Sequence, residues 1–408
     1  MTDAAPRRLK GRSSAETRSA VLDLIRAAGP VSRVDLVARS GLTEATISKI
    51  VRGLLDDQVV VEVGFARSRG GKRATLLALN DAGRYAAGVA IDESRTLVVI
   101  CRLDGQVIAS RRSPGTDAPD PDTALVLVAP QIERLLREEG IDRGSVIGVG
   151  VATGGRRGIA SGAPVFDGDS AWTVAPTGEA LRKRLRLPVI VENDANCAAL
   201  GQFWAGGEAA ATDFAVVYMA FGIGVGIIIN GDIYRGRSGN AGELGHTRVE
   251  PDGADCWCGS RGCLETVGPP RGIARRALAD PDLRRELQAQ DGMEVAEVYR
   301  RVVDAANTGS VGAARLIQES ADYIAGALLG LVDVLDLDRL DLIGPGFADA
   351  PNAFLETIRS TVQSAAFARD VHPVTIALGA VTQDEVARGA ASVVLHSTLT
   401  PHYAAARL

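Results

Sequence analysis

No apolar run in the sequence approaches the ~20 residues that a membrane-crossing helix needs. Its first residues, MTDAAPRRLKGR, lead into no apolar segment of the kind that directs secretion. These absences point to a cytoplasmic protein with no membrane partner. Cysteine is scarce, five in the chain, and three of the five crowd into one short stretch, which suits a reducing compartment. What the chain does have is length. Its 408 residues, 23% of them charged, suffice for two or three domains with sizeable cores.

Charge is near balance overall but unevenly spread. Residues 1–80 carry 14 Lys and Arg against 8 Asp and Glu, a net of +6, which leaves 31 against 42, or −11, for the remainder. A small basic head on a larger acidic body suggests that the head meets a polyanion and the body does not.

Residues 1–13 lack periodicity and read as a flexible arm. From Ala15 to Ala28 the apolar Val21, Leu22, Leu24 and Ile25 recur at helical spacing, and Gly29-Pro30 ends the run. Ser32 can cap a second helix that stops at Ser40-Gly41, and Thr43 a third with Ile47, Ile50, Val51, Leu54 and Leu55 on its inner face. Two strands, Val59 to Val63 and Thr75 to Leu79, flank the loop GFARSRGGKRA. Helix, short glycine turn, helix and two-stranded wing make residues 14–80 a winged helix-turn-helix domain. Its partner would be double-stranded DNA, met in the major groove by Thr43, Glu44, Thr46, Ser48, Lys49 and Arg52, and in the minor groove by Arg67, Arg69, Lys72 and Arg73 of the wing. An ordinary three-helix core with a solvated basic loop is the plainer alternative.

Beyond Asn80 strands and helices alternate. Tyr85 to Ile91 and Leu97 to Leu103 read as strands, and Asp104-Gly105 turns the chain into Gln106 to Ser110. A helix near 123–139, the strand Val146 to Val151, a helix near 177–186 and the strand Val189 to Val191 follow. The plan repeats from Phe214 to Met219 and Val225 to Ile229, with Asn230-Gly231 turning into Asp232 to Tyr234. Helices around 295–335 and 351–365, the strands Leu340 to Ile343 and Val374 to Leu378, and a last helix near 383–397 complete it. Two hairpin-led α/β halves imply two lobes with a cleft between them.

Gly239 to Glu265 reads GNAGELGHTRVEPDGADCWCGSRGCLE, in which His246, Cys256, Cys258 and Cys263 offer one imidazole and three thiolates at the spacing H-x9-C-x-C-x4-C. That donor set suits zinc, and four protein ligands leave no open position, so the ion would be structural. A disulfide is disfavoured, because Cys-x-Cys is too tight to bridge without strain.

GNAGELGH followed by CWCGSRGCLE resembles the ROK family of repressors, open reading frames and sugar kinases, and with its flanking pieces the likeness covers most of residues 84–400. ROK regulators carry a wing in the same place, which extends the likeness over residues 15–79. The resemblance implies an α/β fold in which the winged helix-turn-helix precedes a two-lobed body like actin and the sugar kinases. Lobe 1 would take residues 84–195, with the helix of 383–400 packing back on it, and lobe 2 residues 196–382 with the zinc loop. It further implies that Glu243, His246 and Glu265 line a sugar pocket, that Asn193 binds sugar hydroxyls, and that Asp194 stands where the kinases keep their general base. Asp169 falls where the family often has another sugar-binding residue. Read without the resemblance, Glu192-Asn193-Asp194-Ala195-Asn196 is a helix cap.

The nucleotide side departs from the kinases. Their first phosphate loop reads approximately Asp-x-Gly-Gly-Thr, where this chain has Asp92-Glu93-Ser94-Arg95-Thr96. Gly222-Ile223-Gly224 lacks the usual hydroxyl, and Pro345 removes an N–H from a glycine run. The expectation is therefore a DNA-binding transcriptional regulator, a repressor of carbohydrate-related genes, that binds a sugar effector without phosphorylating it, Asp194 being a vestigial base. It would act as a homodimer or homotetramer on an inverted-repeat operator. The alternatives are a bifunctional sugar kinase with a DNA-binding head and a zinc-responsive switch.

Overall fold

The computed structural model describes residues 13–66, 73–81, 83–91, 95–115, 120–155, 178–205, 213–290, 292–379 and 384–399. The head consists of helices α1 (Ser14–Ala28), α2 (Arg33–Ser40) and α3 (Glu44–Asp56) and a small antiparallel sheet of β1 (Val31–Ser32), β2 (Val60–Phe65) and β3 (Thr75–Leu79), in the order β1-β3-β2. Ser32 and Asp35 form a reciprocal capping box at the start of α2, and Gly41, at φ 65°, ends it. Thr43 caps α3 by accepting the N–H of Thr46. Val21, Leu36, Ile47, Val51, Leu54 and Leu77 are fully buried between the helices and the sheet, so the apolar stripe of α3 faces inward as its period dictates. The two-residue strand β1 gave no sequence signal, being too short to show a period.

The first lobe is built on β4 (Tyr85–Ile91), β5 (Arg95–Arg102), β6 (Val107–Pro114), β7 (Val146–Thr153) and β8 (Val189–Asn193), with helices α4 (Pro121–Glu138) and α5 (Glu179–Leu185). Helix α6 (Asp194–Ala205) leads into the second lobe, which contains β9 (Phe214–Met219), β10 (Ile223–Ile229) and β11 (Asp232–Ile233). Its helices α7 (Pro270–Ala279), α8 (Pro281–Glu286), α9 (Val295–Asn307) and α10 (Val311–Leu335) precede β12 (Arg339–Ile343), α11 (Pro345–Asp349), α12 (Pro351–Ala365) and β13 (Thr375–Leu378). The last helix is α13 (Asp384–Leu399).

The sheets run β6-β5-β4-β7-β8 and β11-β10-β9-β12-β13, so each half repeats an antiparallel three-stranded start followed by two parallel strands. Helix α13 returns to the first lobe and lies against β4, β7 and α6. The approach is close enough that a side chain at Gly150 would run into the backbone of Ala390, and one at Gly389 into that of Cys197. Helix α6 is thus held along its length between α13 and β10.

Head and body share one continuous apolar cluster, which joins Val21, Ile25 and Leu36 to Phe203, Trp204 and Val386. At its centre Arg26 of α1, its side chain 4% exposed, donates to the carbonyl of Trp204 at 2.8 Å. Its guanidinium stacks 4.6 Å from the Trp204 ring and 5.3 Å from Phe203. Burial pulls the Arg26 pKa below its ordinary value, partly offset by Asp23 at 3.5 Å.

Candidate functional site

Four ligand atoms from His246, Cys256, Cys258 and Cys263 lie within 4.8 Å of one another. Cys256 Sγ is 3.6 Å from His246 Nδ1, and Cys258 Sγ is 3.7 Å from Cys263 Sγ. Metal–ligand bonds of about 2.0–2.3 Å span tetrahedral edges of about 3.3–3.8 Å, so these two separations match edges of a tetrahedral site, and the other pairs need only a small closure. They are far from the ~2.05 Å of a disulfide, and all five cysteines are free. Burial pushes the Cys256 thiol up to about 12 and raises Cys263 as well, so a cation is what would turn them into thiolates. The ring of Trp257 meets His246 edge-on at 4.7 Å and fixes its plane.

The loop around these ligands is folded by two short 3-10 turns, Leu244–His246 and Leu264–Thr266, tied by the N–H of Leu264 donating to Thr247 O at 2.8 Å. Glu243 immediately precedes the first turn, and Glu265 sits in the second. Glu265 accepts the N–H of Ile223 at 3.2 Å, and a side chain at Gly222 would strike its Oε1. The glycine at 222 therefore makes room for a carboxylate of this chain. Burial pushes the Glu265 carboxyl up to about 7, and the nearby Glu243 and Asp194 act in the same direction against Arg271. Asp194, Glu243 and Glu265 accordingly converge.

Helix α6 starts at this convergence. Asn193 Oδ1 accepts the N–H groups of Ala195 and Asn196 at 2.9 and 3.2 Å, so the capping expected of Asn here is present and its amide N–H₂ is what could reach a ligand. Asp194 lines a cavity of about 420 Å³ between the lobes, where Thr153, Gly154, Phe221 and Pro345 also lie. Asn193, Glu243, His246 and Glu265 are not among its described lining residues, although Gly222, which Glu265 abuts, is, and Asp169 lies outside the described residues. So do Asp92, Glu93 and Ser94 of the first phosphate loop.

Sequence reasoning missed how the segments around Asn193 and Glu243 are joined. Glu192, 2% exposed, accepts Arg235 Nε and Nη2 on one oxygen at 2.9 and 2.7 Å. On its other oxygen it accepts the N–H of Asn193 at 3.0 Å and Asn196 Nδ2 at 3.3 Å. A buried, fully partnered carboxylate of this kind ties the start of α6 to the segment leading to Glu243. No local pattern relates residues 43 positions apart. The arginines of the cavity, Arg95, Arg112 and Arg271, were equally invisible as a group.

On the head, Glu44, Ser48, Lys49 and Arg52 are exposed along the outer face of α3, and Arg73 is exposed at the base of the wing. Thr46 is half-buried, and its hydroxyl lies 2.9 Å from that of Thr43, so this pair serves the helix start. Arg67, Arg69 and Lys72 lie outside the described residues.

Comparison with known proteins matches residues 86–397 to the model of the ROK family. The chain is 25% identical over 378 residues to a xylose repressor of Caldicellulosiruptor bescii, covering 92% of this chain and 94% of that protein. It is 27% identical over 358 residues to the DNA-binding transcriptional dual regulator NagC of Escherichia coli K12, covering 85% and 84%. Among solved structures, a ROK family transcriptional regulator described as a homolog of the E. coli MLC protein superposes with a TM-score of 0.70 at 24% identity, over 96% of this chain and 98% of that one. A ROK family glucokinase from Streptomyces griseus, solved with glucose and AMPPNP, gives 0.60 at 28% identity over 76% and 98%.

Proposed function

The chain belongs to the ROK family, and from that premise we propose that it is a DNA-binding transcriptional regulator, a repressor of carbohydrate-related genes, whose kinase-like body binds a sugar effector. The observation that carries this reading is the three-helix head with its small sheet, clasped to the body, which lies ahead of residues 86–397 matched by the family and fits the similarity to a xylose repressor over 92% of the chain. Lys49, Ser48, Glu44 and Arg52 meet the major groove and the basic wing the minor groove, with Thr43 and Thr46 holding the start of α3. A homo-oligomer binds an inverted repeat in the cytoplasm.

The effector's hydroxyls are met by Asn193, Asp194, Glu243 and Glu265, with His246 turning its second ring nitrogen toward them while the first binds metal, and with Asp169 as a further contact. His246, Cys256, Cys258 and Cys263 hold a structural Zn²⁺. The ion supplies no chemistry to the sugar; it fixes the loop between Glu243 and Glu265.

Coupling between effector and DNA runs through α6. Its first residue, Asp194, contributes to the pocket, and Trp204 in its last turn, about 15 Å further along at 1.5 Å per residue, holds Arg26 of the head. A helix fixed along its length moves as a unit, so a ligand that favours one seating of Asn193 and Asp194 favours one seating of the head.

Asp194 in the cleft favours a second reading, a bifunctional kinase. Purified protein incubated with ATP and a sugar panel separates the two. The regulator reading expects a sugar-dependent change in operator affinity and no sugar phosphate. ATP-dependent product that disappears in Asp194→Ala would establish the kinase.

A further inference from the structure

Two consecutive aromatic residues near the end of α6 are each covered by a different lobe. The Asp104-Gly105 turn, which joins β5 to β6 in the first lobe, lies on Trp204: a side chain at Gly105 would come within 3.4 Å of the indole ring. The Asn230-Gly231 turn, which joins β10 to β11 in the second lobe, lies on Phe203, again at 3.4 Å. These are equivalent turns of the repeated sheet plan, and both use glycine in the left-handed region, Gly105 at φ 84° and Gly231 at φ 77°. The repetition of the fold thus brings the same hairpin from each lobe to one point on the helix between them.

The head is fastened at that same point. The Arg26 guanidinium of α1 lies 4.6 Å from the Trp204 ring and 5.3 Å from the Phe203 ring, so it spans both. Adjacent residues of a helix point about 100° apart, and each ring can therefore be displaced without the other. The fastening itself is incomplete. Asp23 stands 3.5 Å from Arg26 Nε, long for a hydrogen bond, and the buried indole N–H of Trp204 has no hydrogen-bond partner among the described residues. A seat that leaves buried donors poorly met is held less firmly than its apolar contacts alone would hold it, so small displacements of either ring change it.

We propose that this joint reports the angle between the two lobes to the head: the first lobe bears on Trp204, the second on Phe203, and Arg26, spanning the two rings, carries a change in their relative position to α1. This rests on the reading of the chain as a regulator whose body sets how its head binds DNA, and it adds the contact through which each lobe acts. A helix that moves as a unit conveys only its own position. Two turns on two rings convey where the lobes stand relative to each other, through side chains in direct contact.

The test is hydrogen exchange of α1 in the full-length protein without ligand, read by mass spectrometry, alongside affinity for an operator selected from random DNA. Gly105→Ala and Gly231→Ala each add a methyl against one ring. Both also strain a left-handed turn, so the controls are Gly140→Ala in the first lobe and Gly309→Ala in the second, at φ 63° and 103°, where the added methyl meets nothing within 4 Å. Exchange in α1 should rise about fivefold in each ring-facing variant and stay within about twofold of the parent in both controls. Operator affinity should change at least threefold in the same two variants. Gly105→Asn and Gly231→Asn, whose side chain tolerates left-handed backbone, repeat the test should either alanine variant fail to fold. In an Arg26→Met background, which keeps an unbranched side chain in the seat and removes the guanidinium, each turn variant should alter α1 exchange less than twofold. Exchange in α1 that ignores either turn, equal changes in the controls, or responses that persist in full without Arg26 would overturn the proposal and leave the regulator reading standing if the parent binds its operator. A parent protein that selects no operator removes the regulator reading, while exchange in α1 still decides whether the lobes act on the head.

Discussion

Cys258 and Gly222 show two ways in which single residues hold this pocket together. Cys258 is half-exposed, yet its sulfur completes one edge of the four-atom cluster. Cys258→Ser should reduce bound zinc from one equivalent to a small fraction by elemental analysis. Losing a structural ligand should also lower the thermal midpoint by several degrees and abolish the sugar response. Full zinc occupancy in the variant would refute the ligand set. At Gly222 the added methyl of Gly222→Ala would strike the Glu265 carboxylate. Overpacking of this kind costs about 1–3 kcal/mol, and here the group displaced belongs to the pocket. Sugar affinity measured by calorimetry should fall at least tenfold while operator affinity without sugar stays within twofold of the parent. The clustering of His246, Cys256, Cys258 and Cys263 was legible because a metal-like donor set depends on residue type and short spacing. Glu192 and Arg235 were not, because a salt bridge between separate segments leaves no trace in either one.

At the scale of elements, α6 has the larger consequence. Its N-terminus shares the cavity with both lobes, and its C-terminus meets the head through Arg26. Arg26→Ala removes a buried hydrogen bond and a stacked cation, together worth about 2 kcal/mol. The variant should bind its sugar with unchanged affinity but show at most a third of the parent's sugar effect on DNA binding, measured by fluorescence anisotropy. An undiminished effect would exclude this route of coupling. The strands and hairpins of both lobes were readable, because short continuous apolar runs and the Asp104-Gly105 and Asn230-Gly231 turns are local signals. The helices α7 and α8 were passed over: they are short, follow closely on the cysteine loop, and announce themselves only by prolines at their starts. The folding back of α13 was inferred from the family resemblance, and the tight seat at Gly150 explains it physically.

For the whole molecule the division of labour follows the charge. On the proposed reading the basic head faces DNA, and the acidic body carries the pocket. Arg52→Ala, on the exposed face of α3, should weaken operator binding and reduce the slope of log affinity against log salt by about one. A loss confined to one operator base, with the salt slope unchanged, would instead make Arg52 a base-reading residue. Fold class was available from the sequence because hydrophobic period, turn residues and one strong motif agree on it. The identity of the effector was not, since it depends on contacts assembled from separate segments of the chain.

On the proposed reading one chain binds DNA and lets a sugar ligand set how tightly. The most direct test titrates full-length protein onto an operator selected from random DNA, with and without the tightest ligand found by calorimetry. The account predicts at least a tenfold change in operator affinity with that ligand, lost in Glu243→Ala, and no sugar phosphate formed in the presence of ATP. An affinity that ignores the ligand while ATP is consumed to phosphorylate the sugar would contradict it.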